Sequence, residues 1–409
     1  MTAISDLTRT EPFKTFFVCY KLGYIVLMLP FRVLFYARRA NRQRRSWSLK
    51  KSVIISSLTG ITDMTVRIGY FLGRNVNEEV PAHECKDARF IWVDPVSPEL
   101  IQGQVKKFAE ACHAQSIRIP AYGFGDWNME PRGEPLAKDG EKVVLHFHGG
   151  AYVFGTAHPE DMTANISRGL IKWGSDVVSR TLSVDYRLSS SAPFTVSGPF
   201  PSALIDALAG YVYLVRKLGF KPQNIIVAGD SAGGNLALAF VRYLRDTPEL
   251  GLGMPGGLLL FSPWCDPIGT HEGEAVEKAR SNVGVDYIKP RSDSPHSVEL
   301  YALRSFLGGV SREEAATNPY ISPGSLKLDP STITGLFAGF PPTYILSGEA
   351  ELLVDEIRTL RRRMEADLSK ENLVFDEVLD AVHDFSVFPF WEPERSSAFQ
   401  RIVSWIRKL

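Results

Sequence analysis

Four cysteines in 409 residues, Cys19, Cys85, Cys112 and Cys265, are too few and too scattered for a disulfide framework or a metal spacing. The expected state is reduced thiols in a chain that faces a reducing compartment. Net charge is also missing: 46 basic residues balance 46 acidic ones, so no global field recruits nucleic acid. There is no internal repeat and no low-complexity tract, which excludes solenoids and long disordered arms. Finally, no uninterrupted apolar run reaches the roughly 20 residues of a plain membrane span. The longest charge-free stretch at the N-terminus, Leu22 to Phe31, has ten residues and contains Pro30.

That N-terminal stretch is nevertheless the most hydrophobic in the chain, KTFFVCYKLGYIVLMLPFRVLFY from Lys14 to Tyr36. Lys14, Lys21, Arg32 and Arg39 are separated by 7, 11 and 7 residues, steps that return to nearly the same helix azimuth and form one cationic stripe. Arg38, Arg39, Arg42, Arg44, Arg45 and then Lys50-Lys51 follow, with Trp47 between. Apolar and cationic faces in this order predict a helix that lies in an anionic membrane surface, ahead of one that crosses it. A cleaved signal peptide fits poorly, since no short basic region precedes a clean apolar one with a small-residue cleavage site. If the segment spans, the arginines would hold the remainder on the cytosolic face, which is favoured over the lumenal one, and the endoplasmic reticulum is the expected membrane.

Residues 1–48 are therefore expected to be a membrane-associating segment. Cap helices and lead-in follow over 49–115, with helices near 52–72 and 98–113 and antiparallel strands near 88–93 and 115–121. From Lys142 short apolar runs alternate with amphipathic stretches. Strands are predicted at 142–147, 177–184, 224–228, 257–261, 342–347 and 374–379. Helices are predicted between and after them at 159–173, 201–218, 232–246, 353–369 and 395–408. This alternation implies a mostly parallel sheet with helices on both faces, spanning 116–409. Residues 266–318 interrupt it for longer than an ordinary connection, with a helical piece from His296 to Leu307, and are expected to form an inserted cap or lid.

The chemistry concentrates in two glycine motifs. Gly229-Asp230-Ser231-Ala232-Gly233 follows the strand NIIVA and opens a helix, where glycines permit a tight turn that lifts a serine hydroxyl out of the sheet. His148-Gly149-Gly150-Ala151-Tyr152 follows the strand KVVLHF, and its paired glycines can bring bare N–H groups toward one point. Gly149 and Gly150, with the N–H of Ala232, are the expected oxyanion donors. His148 is expected to brace its loop. His146 and His148 alternate on a strand, but nothing supplies a third metal ligand, and neither metal nor cofactor is expected.

A serine nucleophile needs a base. Of the eight histidines only His383 lies on a loop between a late strand and the final helix, which gives the order serine, acid, histidine. The acid should follow the strand PTYILS, where Glu349, Glu351 and Asp355 compete on chemistry alone.

Over about residues 140–409 the chain resembles the hormone-sensitive-lipase-like esterases of the α/β-hydrolase superfamily, particularly fungal members. The resemblance is carried by HGGAY, VDYRL, PFP with Asp206 downstream, GDSAGGN, SPW, NPYISP, GFPPTYILSGEAELLVDE and AVHDF. It implies an α/β-hydrolase fold with N-terminal and inserted cap elements, and places the acid at Glu351, where the family more often has aspartate. Ala151 stands where the family has the third glycine of its HGGG loop, which weakens that position as a donor. Asp230 is implied to support the loops. The implied function is a serine carboxylesterase acting through an acyl-enzyme on short, acetyl-type esters of a bulky lipophilic alcohol. The same triad would also serve an amide, carbamate or lactone, or a biosynthetic cyclisation. A non-catalytic binding protein, as in plant gibberellin receptors that resemble this family, is opposed by the presence of His383.

Overall fold

The computed structural model describes residues 7–68, 78–127, 135–290, 292 and 297–409. Its centre is a sheet of eight strands: β1 (Ala88–Val93), β2 (Ile119–Gly125), β3 (Lys142–Phe147), β4 (Val178–Val184), β5 (Ile225–Asp230), β6 (Gly257–Phe261), β7 (Thr343–Gly348) and β8 (Leu373–Val378). They lie in the order β1-β2-β4-β3-β5-β6-β7-β8. β1 and β2 are antiparallel to each other and β2 is antiparallel to β4, while every pair from β4 to β8 is parallel.

Strands β5 and β6 carry continuous apolar runs, Ile225–Ala228 and Leu258–Phe261, because each of their faces has a core of its own. Ile225 and Val227 of β5 and Leu258 and Leu260 of β6 enter one core, while Ile226, Ala228, Leu259 and Phe261 enter the other. A period-two side-chain alternation in a sheet covered on both faces requires such uninterrupted runs. The covering helices are α3 (Gly103–Ala111), α4 (Ala164–Gly174), α5 (Ser202–Val212), α6 (Ala232–Asp246), α8 (Val354–Asp367) and α9 (Glu394–Ile406), and α5 ends in a π-helical turn over Tyr213–Lys217. The long connection after β6 carries α7 (Val298–Leu307). The expected start of that helical piece at His296 lies outside the described residues, as do residues 69–72 of the predicted second helix.

At the N-terminus α1 (Phe13–Ala37) runs unbroken for 25 residues through Pro30, and α2 covers Leu49–Ile68. α1 is long and apolar enough to cross a membrane, which the sequence reading understated. Counting only charge-free residues stopped the run at Lys21 and Arg32, but isolated lysines do not end a helix, and long cationic side chains carry their charge away from an apolar stretch. None of its residues is buried, and Phe16, Leu27 and Leu34 are 67, 66 and 74% exposed. α2 packs against α1 and, on the other side, against α7 of the inserted segment, so the two cap elements touch.

Candidate active site

β5 delivers Asp230 and Ser231 to the edge where its helix begins. Ser231 has φ 52° and ψ −115°, outside the regions that L-residues favour, and such backbone persists only where its surroundings over-determine it. Three backbone bonds do so. Its N–H donates to Phe261 O at 2.9 Å, and its carbonyl accepts from Trp264 N at 2.9 Å and Asn235 N at 3.1 Å. The turn is also too tight for side chains. A Cβ on Gly229 would meet Gly233 O at 2.1 Å, and one on Gly233 would meet Phe147 O at 2.0 Å.

The strained turn aims Ser231 Oγ at His383 Nε2, 3.0 Å away. His383 lies on the loop after β8, between β7 and β8 loops that are themselves tied: Ala350 N donates to Ala381 O at 2.8 Å. Glu351 is fully buried on the loop after β7, and its Oε2 accepts from Ser262 Oγ at 2.5 Å and Gly348 N at 3.1 Å. The same oxygen stands 3.9 Å from His383 Nδ1, an approach longer than a hydrogen bond. Catalytic contacts of this kind are commonly loose before substrate binds. The competing acids are committed elsewhere. Glu349 pairs with Lys278 at 2.7 Å and accepts from Asp380 N at 3.2 Å, while Asp355 accepts from Ala279 N at 2.8 Å.

The oxyanion loop corrects one expectation. Gly149 N–H is already donated to Asp230 Oδ2 at 2.8 Å, so it is not a free donor. The same carboxylate takes a second bond from His146 Nε2 at 2.9 Å and so hangs the loop from the nucleophile strand. The next amides along the loop are those of Gly150 and Ala151, at φ 114° and 51°, and with the N–H of Ala232 at the first position of α6 they are the candidate donors. A first-turn N–H has no acceptor within its own helix. Departure from the family's third glycine therefore costs no donor, because alanine adopts the positive φ here. His148 braces the loop as anticipated, with Nδ1 2.7 Å from Gly149 O and its ring stacked on Tyr186 at 4.2 Å. No cluster of His, Cys, Asp or Glu suited to a metal occurs among the described residues.

Four features escaped the sequence reading. Ser262, within the SPW motif, bridges the acid and base loops, since its Oγ also accepts from Asp384 N at 3.1 Å. Asp384, in a left-handed conformation, places Oδ2 3.3 Å from His383 Nε2. Asp286 and Asn282 of the inserted segment bond the backbone of both loops: Asp286 accepts from His383 N at 3.4 Å and Leu352 N at 2.8 Å, and Asn282 donates to the carbonyls of Glu349 and Glu351. Ser262 and Asp384 adjoin recognisable motifs, whereas nothing in the insertion's composition marks the other two.

Against this geometry the comparisons are unambiguous. The family model described as alpha/beta hydrolase fold matches residues 144–387. The chain belongs to the hormone-sensitive-lipase-like esterases of the α/β-hydrolase fold. It is 29% identical over 284 residues to an esterase of Acinetobacter venetianus, a match covering 68% of this chain and 79% of the relative. It is 29% identical over 228 residues to an acetyl-hydrolase of Streptomyces hygroscopicus, covering 56 and 63%. It is 27% identical over 266 residues to bovine hormone-sensitive lipase, covering 63% of this chain and 32% of that longer protein.

In this esterase the acids around the imidazole are buried together. Burial lifts Asp286 to about 7, and burial together with neighbouring acids pushes the Glu351 and Asp384 carboxyls well above the usual carboxylate range. The His383 imidazole is driven down to about 3 by its loss of water.

Two outcomes follow. Glu351→Gln should lower kcat on an activated acetate ester by about 10²-fold or more, while Glu349→Gln leaves it within about twofold, because Glu351 stands beside the imidazole Nδ1 whereas Glu349 is paired with Lys278. Steady-state assays of purified, folded variants check the ranking, and the reverse order would move the acid to Glu349. The second outcome concerns pH. The base works when neutral, and burial favours the neutral imidazole, so kcat/KM should persist as pH falls through the ordinary 6.5 and fail only toward the depressed value. An acid limb at or above 6.5 would contradict a desolvated base.

Proposed function

We propose that this protein is a serine carboxylesterase that cleaves short-chain, acetyl-type esters of a lipophilic alcohol. The observation that carries the reading is the 3.0 Å contact between Ser231 Oγ and His383 Nε2 on a strained strand-to-helix turn. Ser231 Oγ attacks the ester carbonyl as His383 Nε2 takes its proton. The carbonyl oxygen becomes an anion held by the amides of Gly150, Ala151 and Ala232. The protonated His383 then returns its proton to the departing alkoxide, leaving an acyl-serine. Water repeats the sequence, giving its proton to His383 and releasing the acid. Glu351 orients the ring and stabilises the imidazolium. The acetyl preference is supported by the name of the Streptomyces relative.

The preference for a lipophilic alcohol is supported by α1, which offers an exposed apolar surface to a membrane. Its attachment to a lipid surface is part of the same reading. Arg32 bonds Ser57 of the adjacent α2 at 2.8 Å, which holds the C-terminal part of α1 alongside the folded domain and favours a helix in the surface over one that crosses. Basic residues near an anionic surface contribute about 1 kcal/mol each, a term that salt screens.

Ser231→Ala is expected to abolish both turnover of p-nitrophenyl acetate and labelling by a fluorophosphonate probe, and wild-type kcat/KM should fall as the acyl chain lengthens from acetyl. Undiminished labelling of the variant, or a rise with chain length, overturns the assignment or the acyl preference respectively. For attachment, full-length protein should float with anionic liposomes at low salt and be partly released at high salt. Protein that stays soluble throughout overturns the membrane reading, and retention through high salt and alkaline carbonate replaces a surface helix with a span.

A further inference from the structure

The loop that carries His383 begins with Asp380, a non-glycine residue at φ 56°. All of its polar groups are bonded, and three of the four contacts come from the N-terminal segment. Arg44 Nε lies 3.1 Å from Asp380 Oδ1, Ser46 Oγ donates to Oδ2 at 2.6 Å, and Trp47 Nε1 donates to the carbonyl at 2.8 Å. The fourth is Asp380 N–H on Glu349 Oε2. Arg44 then reaches the acid loop as well: its Nη2 donates to Asn282 Oδ1 at 2.5 Å, and Asn282 Nδ2 donates to the carbonyls of Glu349 at 2.9 Å and Glu351 at 2.8 Å. One guanidinium thus grips both loops whose separation sets the distance from Glu351 to His383.

The grip is anchored on its far side. Trp47 is 2% exposed and packs edge-on against Trp391 at 5.2 Å, in the core that also holds Ala381 and Val382. Arg42 ties this segment to α1 by donating to Trp47 O at 2.8 Å and Tyr36 O at 3.0 Å. A left-handed aspartate is backbone of the kind that stays in place only when its surroundings over-determine it, and here the N-terminal segment supplies most of that determination.

We infer that Arg44 is a positioning residue for the acid–base pair: through Asp380 and Asn282 it holds the His383 and Glu351 loops at working distance, so that residues 42–47 belong to the catalytic apparatus and not only to the membrane attachment. The inference rests on the reading of Ser231, His383 and Glu351 as the reacting set. A misplacement of about 1 Å at such a pair is worth up to roughly 10²-fold in rate. Arginine suits the task because its planar fork bonds two acceptors in different directions, which a lysine ammonium does not reproduce.

The test uses the full-length chain in p-nitrophenyl acetate assays, with thermal melting to establish folding. Arg44→Ala should lower kcat by about tenfold or more at unchanged KM and displace the acid limb of the pH profile. Arg44→Lys should recover part of the loss, by keeping the charge at Asp380 without the bond to Asn282. Asn282→Ala should act in the same sense, and the double variant should be no worse than the sum of the two, with a coupling that marks a shared path. Asp380→Asn, which tolerates the left-handed backbone and removes the charge, provides the same reading where Arg44→Ala does not fold. Unchanged kcat and pH profile in folded Asn282→Ala and Asp380→Asn overturn the inference, as does a rise in KM alone, which would make the segment a wall of the substrate cleft. Full activity in Ser231→Ala would instead overturn the underlying site, so the two failures are distinguishable.

Discussion

The carboxylate of Asp230 is removed from water at the end of the central strand, and it is tolerable there only because two donors converge on it, the imidazole of His146 and the amide of Gly149. A buried polar group without such partners costs several kcal/mol, so the bond between nucleophile strand and oxyanion loop forms wherever the fold forms. The elbow, the loop and the open amides of Gly150, Ala151 and Ala232 all take their positions from this one junction. It also explains why Gly149 must be glycine, since a Cβ there would meet Asp230 Oδ2 at 2.4 Å.

The same economy governs the acid side. Glu351, Asp286 and Asp384 crowd around one imidazole, and burial favours the neutral form of each. What holds them in place is backbone: Gly348 N–H on Glu351, and Leu352, Tyr287 and His383 N–H on Asp286. Dipoles fixed in advance are the means by which such sites stabilise charge that develops during reaction.

Much of this was legible in the sequence because the parallel strands are buried on both faces and so written as continuous apolar runs. β3, β6 and α6 begin and end where their hydrophobic pattern says. Ser231 and His383 could be found because each sits at a junction between pattern types, strand to helix or strand to loop. Glu351 could not be separated from Glu349 and Asp355 by chemistry alone; the spacing of family motifs pointed to it, and the structure separates the three by what each already bonds. Gly149 was misread because a motif names residues and not the direction of their amides. Asn282 and Asp286 were invisible for a different reason: their partners on the acid and base loops are 66 to 97 positions distant and are main-chain atoms, which leave no side-chain signature to match.

Arg42 joins the exposed helix to the docked segment, and Arg44 and Trp47, two and five positions further, join that segment to the histidine loop. The exposed helix and the support of the histidine loop are therefore continuous. A lineage that shed the helix by deletion through Trp47 would also strip three supports from Asp380, and would keep its reaction centre only by rebuilding that turn, for instance with a glycine that needs no holding. Forms of this esterase with and without the helix would differ by more than an appendage, since the segment between helix and domain supports the loop that carries the base.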